Sequence, residues 1–394
     1  MKIQNIALRE IFDSRGDTTL EFELEGGGGT VRASIPAGRS KGKNEVVAVD
    51  FAKAKNVLGT LKKKLIGVSF NSIQSFDKVL LAYDSERRKE KIGGNVALGL
   101  SIAFTKLLAG EKEPWEVVQK EFFRGQATKK PAIFANFIEG GAHAKNNLAL
   151  QEYLVVARPK NSLKDTIQNL VELYRKLCAQ IEKSHKMRKL PIGDEGGIDE
   201  QFKNNFEPIQ ILDKLIRSEG LEGEFGIGLD AAANHFQKGG EYTLDNKTYG
   251  REKLKKIYKT YKDKISLLYS IEDPFAENDE EGFKELQAEC ENLLIIGDDL
   301  TTTNPETIER SAKEKLITGV IIKPNQIGTV TETCKAIQVA KKHGLKTIIS
   351  HRAGETEDVF IIQLAKAGGA DGVKIGAPCR ERIYKFNELL RLYE

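Results

Sequence analysis

The chain of 394 residues has few cysteines and no long apolar segment. Its four cysteines, Cys178, Cys290, Cys334 and Cys379, are scattered, and no two of them form a Cys-x-x-Cys pair. This spacing indicates isolated thiols in a reducing compartment, and it excludes a disulfide framework or a cysteine-rich zinc site. No run approaches the ~18 consecutive apolar residues of a membrane-spanning helix, so no membrane span is expected.

Blocks of like charge are also missing. Lysine and arginine total 61 against 57 aspartate and glutamate, a formal net charge of +4. Without a basic block or stripe, binding to nucleic acid is not predicted. The first residues, MKIQNIALREIFDSRG, contain no apolar core of signal-peptide length, so we expect a cytoplasmic protein. The composition, 40% hydrophobic and 30% charged, is typical of a soluble globular protein, and the length suits a small domain plus a barrel.

The first third of the chain predicts a small α+β domain. Leu20, Phe22 and Leu24 alternate with polar residues, and the same period of two continues beyond a glycine turn at 26–29. This alternation predicts an antiparallel meander of strands. Helical periodicity follows over about 50–65, 72–82 and 95–109. A charged segment with a glycine and a proline then marks a domain boundary, which divides the chain into 1–125 and 126–394.

The remainder begins with two strands and two helices. The strand-like segments 132–139 and 148–157 are joined by too short a connection for a helical crossover, so they should be antiparallel. Two amphipathic helical stripes follow, the first starting at Leu163 and the second at Ile209. An alternating strand–helix rhythm begins only after these helices. The pattern therefore predicts a barrel that opens β-β-α-α and continues β-α.

Reactive side chains stand where the later apolar runs end. From Glu272 onward these ends fall about every 25 residues, the length of one strand plus one covering helix. Runs that are apolar throughout suit parallel strands, and in a β/α barrel the carboxyl ends of the strands form the active-site face. Three carboxylates there suit a hard divalent cation, and two lysines suit an anionic ligand. The end residues are Asp230, Glu272, Asp298, Lys323, Ser350 followed by His351, and Lys374.

Several longer motifs occur in one fixed order along the chain. They are DSRGDTTLEFEL (13–24), GGAHAKNNLALQEY (140–153), GDEGG (193–197), GLD (228–230), SIEDPFAE (270–277), GDDLTTTNP (297–305), KPNQIGT (323–329), SHRAGETED (350–358) and VKIGAP (373–378). On these motifs the chain resembles the enolase family over nearly its whole length. The resemblance implies an α/β protein, in which an N-terminal α+β domain precedes a β-β-α-α-(β-α)6 barrel.

The resemblance also implies a reaction. An enolase is a lyase of glycolysis and gluconeogenesis, which reversibly dehydrates 2-phospho-D-glycerate to phosphoenolpyruvate through a magnesium-stabilised enediolate. The expected cofactor is Mg²⁺, the expected partner is this small-molecule substrate, and the expected assembly is a homodimer or larger homo-oligomer. Among residues, Asp230, Glu272 and Asp298 match the ligands of one magnesium ion, and Ser40 matches a ligand of a second ion on a closing loop.

The same resemblance distributes the acid–base roles. Lys323 matches the general base that removes the α-proton, and burial among cations should lower its pKa. Glu195 matches the acid that protonates the departing hydroxyl, and Glu152 matches its partner. Two close carboxylates raise one pKa of the pair, so that one stays protonated. His143 matches a further catalytic residue beside the substrate.

The matched substrate contacts overlap with these groups. His351 and Arg352 match residues near the phosphate, where an arginine can bind two oxygens at once, and Lys374 matches the lysine that holds the substrate carboxylate. The complete predicted substrate-binding set is His143, Glu152, Glu272, Lys323, His351, Arg352 and Lys374.

The chain departs from the usual enolase pattern at a few positions. Ala353 stands where a serine usually donates to the phosphate, and Glu139 stands where asparagine usually precedes the glycine pair. Arg39 and Lys41 place two cations in the closing loop, and Pro324 follows the base. None of these changes removes a proton-transfer residue or a ligand of the first metal.

Two other functions remain open at this stage. The chain could be a different dehydratase of the same superfamily, acting on another carboxylate, but the GDEGG, KPNQIGT and SHRAGETED segments argue against it. It could also be a non-catalytic binding protein of this fold. The intact acid–base set opposes that reading.

Overall fold

The computed structural model describes residues 1–39, 42, 44–186 and 189–394. The chain opens with three antiparallel strands, β1 (Ile3–Phe12), β2 (Thr18–Gly26) and β3 (Gly29–Ser34), which pair in the order β1-β2-β3. The predicted alternation is confirmed, since Leu20, Phe22 and Leu24 are all buried. Two glycines with positive φ, Gly27 and Gly28, make the tight turn between β2 and β3.

Four helices complete this N-terminal unit, and they match the predicted periodicity. The second begins at Ser72, whose side chain accepts a hydrogen bond from the backbone N–H of Ser75. The third is buried over most of its length and packs against the sheet. The bounds are α1 (Phe51–Leu65), α2 (Ile73–Tyr83), α3 (Gly94–Ala109) and α4 (Pro114–Phe122).

Eight strands then close into a barrel. Their order around the barrel is β10-β11-β12-β13-β14-β4-β5-β6. The barrel interior below the mouth is filled by a cluster of six buried apolar side chains, Phe134, Leu154, Val156, Ile296, Ile321 and Ile348. The strands are β4 (Ala132–Glu139), β5 (Glu152–Ala157), β6 (Phe225–Asp230), β10 (Leu268–Glu272), β11 (Leu294–Gly297), β12 (Gly319–Ile322), β13 (Lys346–Ser350) and β14 (Gly372–Lys374).

One barrel strand runs against the others. Strand β5 is antiparallel to both of its neighbours, β4 and β6, whereas every other pair in the barrel is parallel. Glu152 is the first residue of β5, and it pairs with Glu139, the last residue of β4, and with Asp230, the last residue of β6. The beginning of β5 therefore lies at the same mouth as the ends of the other strands.

The helices cover the barrel in the predicted order. Two follow β5 in succession, and one long helix then follows each later strand. They are α5 (Leu163–His185), α6 (Glu207–Ser218), α7 (Arg251–Lys264), α8 (Glu280–Glu289), α9 (Pro305–Lys313), α11 (Val330–Lys342), α12 (Phe360–Gly368) and α13 (Ile383–Tyr393), with a single turn, α10 (Pro324–Ile327), directly after β12. The predicted β-β-α-α-(β-α)6 barrel after an α+β domain is confirmed.

Two details differ from the sequence prediction. The second barrel strand begins at Glu152 instead of 148. The residues before it make only isolated hydrogen bonds: the carbonyl groups of Leu148 and Gln151 accept from the loop after β4, and the N–H group of Gln151 donates to Asp230 of β6. A small sheet, β7 (Gln237–Lys238), β8 (Glu241–Leu244) and β9 (Lys247–Tyr249), stands between β6 and α7 and was not predicted. The boundary predicted at residue 125 falls between α4 and β4 and stays a prediction.

Candidate active site

The predicted residues that the structure describes meet at the barrel mouth. Their side chains leave consecutive strand ends: Asp230 from β6, Glu272 from β10, Asp298 after β11, Lys323 after β12, His351 and Arg352 after β13, and Lys374 from β14. His143 comes from a single 3-10 turn between β4 and β5. Glu195 lies on the connection between α5 and α6. Of the predicted set, Ser40 falls outside the described residues, as does Lys41.

Lys374 lies at the centre of a buried group of carboxylates. Its Nζ atom is 2.9 Å from Asp230 Oδ2, 2.9 Å from Glu272 Oε2 and 3.0 Å from Glu152 Oε2. Burial lowers the pKa of Lys374, but these carboxylates outweigh it and hold the pKa well above its ordinary value. Burial, followed by the charge of Asp230, raises the pKa of Glu272. The Lys374 ammonium group is therefore shared by three acidic side chains.

Lys323 forms an ion pair with Asp298 Oδ2. The other oxygen of Asp298 accepts a hydrogen bond from Gln326 Nε2 at 3.0 Å. The predicted lowering of the Lys323 pKa is wrong for this arrangement. Burial and the neighbouring Arg352 and Lys374 do lower the pKa, but the paired Asp298 outweighs them and raises it above its ordinary value. A cation that engaged Asp298 would weaken this effect on Lys323.

Glu152 and Glu195 form a close pair beside His143. The nearest oxygen of each is 3.7 Å and 3.6 Å from His143 Nδ1. Burial, and then the charge of Glu195, raises the pKa of Glu152 well above its ordinary value. Burial acts in the same direction on Glu195, but positive charge on the His351 and His143 rings outweighs it when those rings are protonated. The hydrogen bond of His351 and the charge of Arg382 lower the pKa of Glu195 in either state of the rings. The two pKa shifts are opposite in direction, so a proton shared by the pair is favoured on Glu152, and its transfer to Glu195 or to the substrate stays a prediction.

The protonation of His351 follows from its neighbours. Its Nδ1 atom is 2.9 Å from Arg382 Nη1, and because a guanidinium has only donors, Nδ1 must accept. The ring hydrogen therefore sits on Nε2, which lies 3.3 Å from Glu195 Oε2. Burial lowers the pKa of His351 to about 4, so the ring is neutral near pH 7. Asn136 Nδ2 donates to the same oxygen of Glu195 at 3.3 Å.

Sequence reasoning missed two charged partners of these residues. Arg382, which is fully buried, orients His351 and also donates to the backbone carbonyls of Arg352 and Asp194. Glu45, from the segment after β3, lies 3.2 Å from Arg352 Nη1. No local pattern marks either residue, because each meets its partner only through the folded barrel.

Two of the departures near the predicted phosphate site lie among the described residues, and their surroundings differ. Ala353 is buried and lines the cavity at the mouth. Arg39 turns to the loop that carries Glu195, where its Nη1 lies 3.2 Å from Asp194 Oδ2 and 3.3 Å from the carbonyl oxygen of His143. The cation at 39 thus joins two loops of the mouth.

The side chains at the mouth are suited to a divalent cation. All three predicted ligands offer hard carboxylate oxygens on the adjacent strands β6, β10 and β11, and lysine ammonium groups already lie among them. Two described groups bring their ligand atoms within 4.8 Å of one another, Asp273 with Asp298 and Asp299, and His143 with Glu152 and Glu195. The trio of Asp230, Glu272 and Asp298 is not one of them; Lys374 Nζ lies 2.9 Å from both Asp230 and Glu272, and Lys323 pairs with Asp298.

Comparison with known proteins identifies the family. Residues 3–115 match the N-terminal domain of enolase, and residues 128–394 match its C-terminal TIM barrel domain. The chain belongs to the enolase family. It is 36% identical over 410 residues to an enolase of Lactobacillus delbrueckii subsp. bulgaricus, and the match covers 100% of this chain and 95% of the relative. It is 34% identical over 405 residues to an enolase of Sulfolobus acidocaldarius, and that match covers 99% of this chain and 95% of the relative.

Membership of this family identifies the chain as a lyase of the phosphopyruvate hydratase type, which uses a divalent metal and acts on a small-molecule substrate. The predicted family, fold and enzyme class are confirmed. No helix in the described ranges has the length and apolar character needed to cross a membrane.

Proposed function

We propose that the barrel mouth interconverts 2-phospho-D-glycerate and phosphoenolpyruvate, with Lys323 as the base and the Glu152–Glu195 pair as the proton donor. The observation that carries this proposal is the opposed arrangement of the two groups. Lys323 stands after β12, whereas Glu152 and Glu195 lie on the side of β5 and of the α5–α6 connection. A substrate between them has one group for its α-proton and another for its hydroxyl.

The remaining side chains fit the charges of this substrate. Lys374 supplies positive charge for its carboxylate, and Arg352, whose guanidinium is buried beside Glu45 and Asn325, offers a fixed fork for its phosphate. Neutral His351 can donate from Nε2, and His143 lies against the carboxylate pair. These side chains would exclude water and hold the substrate with its reacting bonds aligned.

We further propose Mg²⁺ as the metal, held by Asp230, Glu272 and Asp298. Oxygen-only donors favour this hard cation over softer ones. When bound, the cation would stabilise the negative charge that gathers on the substrate carboxylate after the α-proton leaves. A contribution of Ser40 on the closing loop, a cytoplasmic location and a dimeric assembly belong to the same proposal.

The proposal is tested with the full chain after removal of metal by a chelator. We expect absorbance from phosphoenolpyruvate to appear on adding 2-phosphoglycerate only once Mg²⁺ is restored. Asp298→Asn should weaken Mg²⁺ binding in calorimetry by about 100-fold or more. Asp299→Asn tests the alternative group of Asp273, Asp298 and Asp299, because Asp299 belongs to that group and not to the proposed trio. Equal effects of the two substitutions, or turnover without metal, would refute the metal assignment.

A further inference from the structure

Glu139 joins the end of a barrel strand to the loop that carries Glu195. It is the last residue of β4 and is fully buried. Its Oε1 atom accepts hydrogen bonds from the backbone N–H groups of Glu195, at 3.0 Å, and of Gly197, at 2.8 Å. Its Oε2 atom is also buried and has no hydrogen-bond partner in the described part of the chain. Glu139 therefore supports the turn at 193–197 through two of the turn's backbone N–H groups.

Two glycines of the turn leave space for the carboxyl group. A Cβ atom on Gly193 would lie 1.8 Å from Glu139 Oε2, and a Cβ on Gly197 would lie 2.7 Å from Glu139 Cγ. Neither position could therefore carry a side chain while Glu139 keeps its place. The glycines of the GDEGG motif and the acidic residue at 139 thus form one packed unit.

Other contacts hold the carbonyl groups of the same turn. Ala377 N donates to the Glu195 carbonyl at 2.9 Å, Arg382 Nη2 donates to the Asp194 carbonyl at 2.8 Å, and Tyr174 Oη donates to the Gly196 carbonyl. Glu139 differs from them because it accepts from the N–H group of Glu195 itself. This bond fixes the peptide plane from which the Glu195 side chain departs.

The chemical state of Glu139 suits an acceptor that adds no charge. Burial, and then the charge of Glu195, raises its pKa well above the ordinary value. A neutral carboxyl still accepts through its carbonyl oxygen, and the Oε1 atom of a glutamine would accept in the same way. The contribution that the geometry assigns to Glu139 is its pair of hydrogen bonds to the turn, which an amide oxygen at the same position can also accept.

We propose that Glu139 is a positioning residue for Glu195, which sets the direction of that carboxylate for loss of the substrate hydroxyl without taking part in removal of the α-proton. The inference rests on the proposed function. It predicts that a substitution at position 139 slows loss of the hydroxyl more than removal of the α-proton, because Lys323 stands on the opposite side of the mouth.

The test compares elimination with exchange of the α-proton of 2-phosphoglycerate in deuterated water. Glu139→Ala should lower the rate of elimination by about 100-fold, the usual result of misplacing a catalytic group by about 1 Å, while exchange falls far less. Glu139→Gln should preserve both rates, because it keeps the acceptor. Glu139→Asp, whose carboxyl is one methylene too short to reach the turn, should behave as the alanine variant does.

Glu121→Ala is the matched control. Glu121 also accepts from two backbone N–H groups, those of Ile73 at 2.9 Å and Gln74 at 2.8 Å, but at the start of α2. This variant should lose stability without altering the ratio of elimination to exchange. The proposal is overturned if Glu139→Asp leaves that ratio at the parental value, or if Glu139→Gln changes it as much as Glu139→Ala does.

Hydrogen–deuterium exchange of the peptide that spans residues 193–197 supplies a readout without substrate. Its amides should stay protected in Glu139→Gln and exchange faster in Glu139→Asp. If the parent chain is inactive but the two variants show this difference in amide protection, the proposed function is refuted and the positioning role of Glu139 is not. An unchanged pattern in Glu139→Asp would refute the positioning role of Glu139 alone.

Discussion

Lys323 and Glu195 illustrate how two residues at one site can be separated experimentally. Lys323 pairs with Asp298, whereas Glu195 is surrounded by His143, His351 and Asn136. Among the described residues, no hydrogen-bond or ion-pair partner is common to the two side chains, so each substitution should leave the hydrogen bonds of the other largely intact.

We therefore expect Lys323→Ala and Glu195→Gln to differ in exchange of the substrate α-proton in deuterated water. Lys323→Ala should lose both elimination and exchange of the α-proton, because no base remains to start either process. Glu195→Gln should lose elimination but keep measurable exchange, because the α-proton can still leave and return. Both rates can be followed in one sample, exchange by NMR and elimination by absorbance. Normal exchange by Lys323→Ala would identify another residue as the base.

Residues that a local pattern marks could be placed at the barrel mouth from the sequence, although their roles stay predictions. Asp230, Glu272 and Lys374 could be found because each ends an apolar run, and a barrel gathers such ends on one face. Glu45 and Glu139 could not, because their partners lie 307 and 56 residues away along the chain. The direction of the Lys323 pKa shift was missed for the same reason, since its ion pair with Asp298 depends on side-chain geometry.

At the scale of elements, the junction of α2 with α11 contains a buried acid outside the active site. Asp77 of α2 is fully buried, and its Oδ2 accepts from the backbone N–H of Thr331, in the first turn of α11, at 3.0 Å. Burial raises its pKa from 3.8 to about 6, against the hydrogen bonds of Ser101 and Thr331 that lower it. No ion pair compensates the charge of Asp77 in the described structure.

This junction should make stability depend on pH. The pKa of Asp77 is higher in the folded chain than in the unfolded chain, so the folded state binds more protons between about pH 4 and 6, and stability falls as pH rises through that range. This difference in the pKa of Asp77 corresponds to a loss of about 3 kcal/mol in the free energy of unfolding. Asp77→Asn should remove this loss, so its thermal midpoint relative to the parent should rise from pH 4 to pH 7.

Asp371→Asn is a control of opposite sign. Burial acts to raise the pKa of Asp371, but Lys129, the backbone N–H of Thr347 and Lys346 outweigh it and lower the pKa. Its carboxylate therefore contributes stability above the unfolded pKa, and that contribution is lost as pH falls through the folded pKa. The asparagine variant should be less stable than the parent at neutral pH. A constant difference between parent and Asp77→Asn across pH 4–7 would contradict the prediction for Asp77.

At the scale of the whole molecule, side chains fasten the N-terminal domain to the barrel at several separate points. Lys106 of α3 is 2.6 Å from Asp358, and Lys89 is 2.8 Å from Glu332 of α11. On α4, the Trp115 ring lies under Lys366 of α12, with 4.3 Å from Nζ to the ring centroid. These contacts do not depend on the connection between α4 and β4.

We therefore expect the chain to tolerate a break at the predicted boundary. Gly125 is exposed and has positive φ, so a recognition site for a specific protease can be inserted after it. The cleaved protein should elute as one species that contains both pieces, and it should keep most of its activity. The uncleaved insertion variant is the control. If cleavage alone releases the pieces or abolishes turnover, the division at 125 is wrong.

The reversed strand β5 has a consequence for how the catalytic groups can move. Because β5 is antiparallel to its neighbours, it ends at the face of the barrel opposite the mouth. Helix α5 then runs back along the outside of the barrel, so the connection between α5 and α6 lies at the mouth. The mouth thus has one loop in addition to those that follow the parallel strands. Glu195 sits on this supplementary loop, whereas Lys323 and the carboxylates directly follow or end strands. Any displacement of Glu195 must therefore involve this loop, which Glu139, Ala377, Arg382 and Tyr174 hold in place, whereas the positions of Lys323 and of the proposed cation ligands are set by the strands themselves.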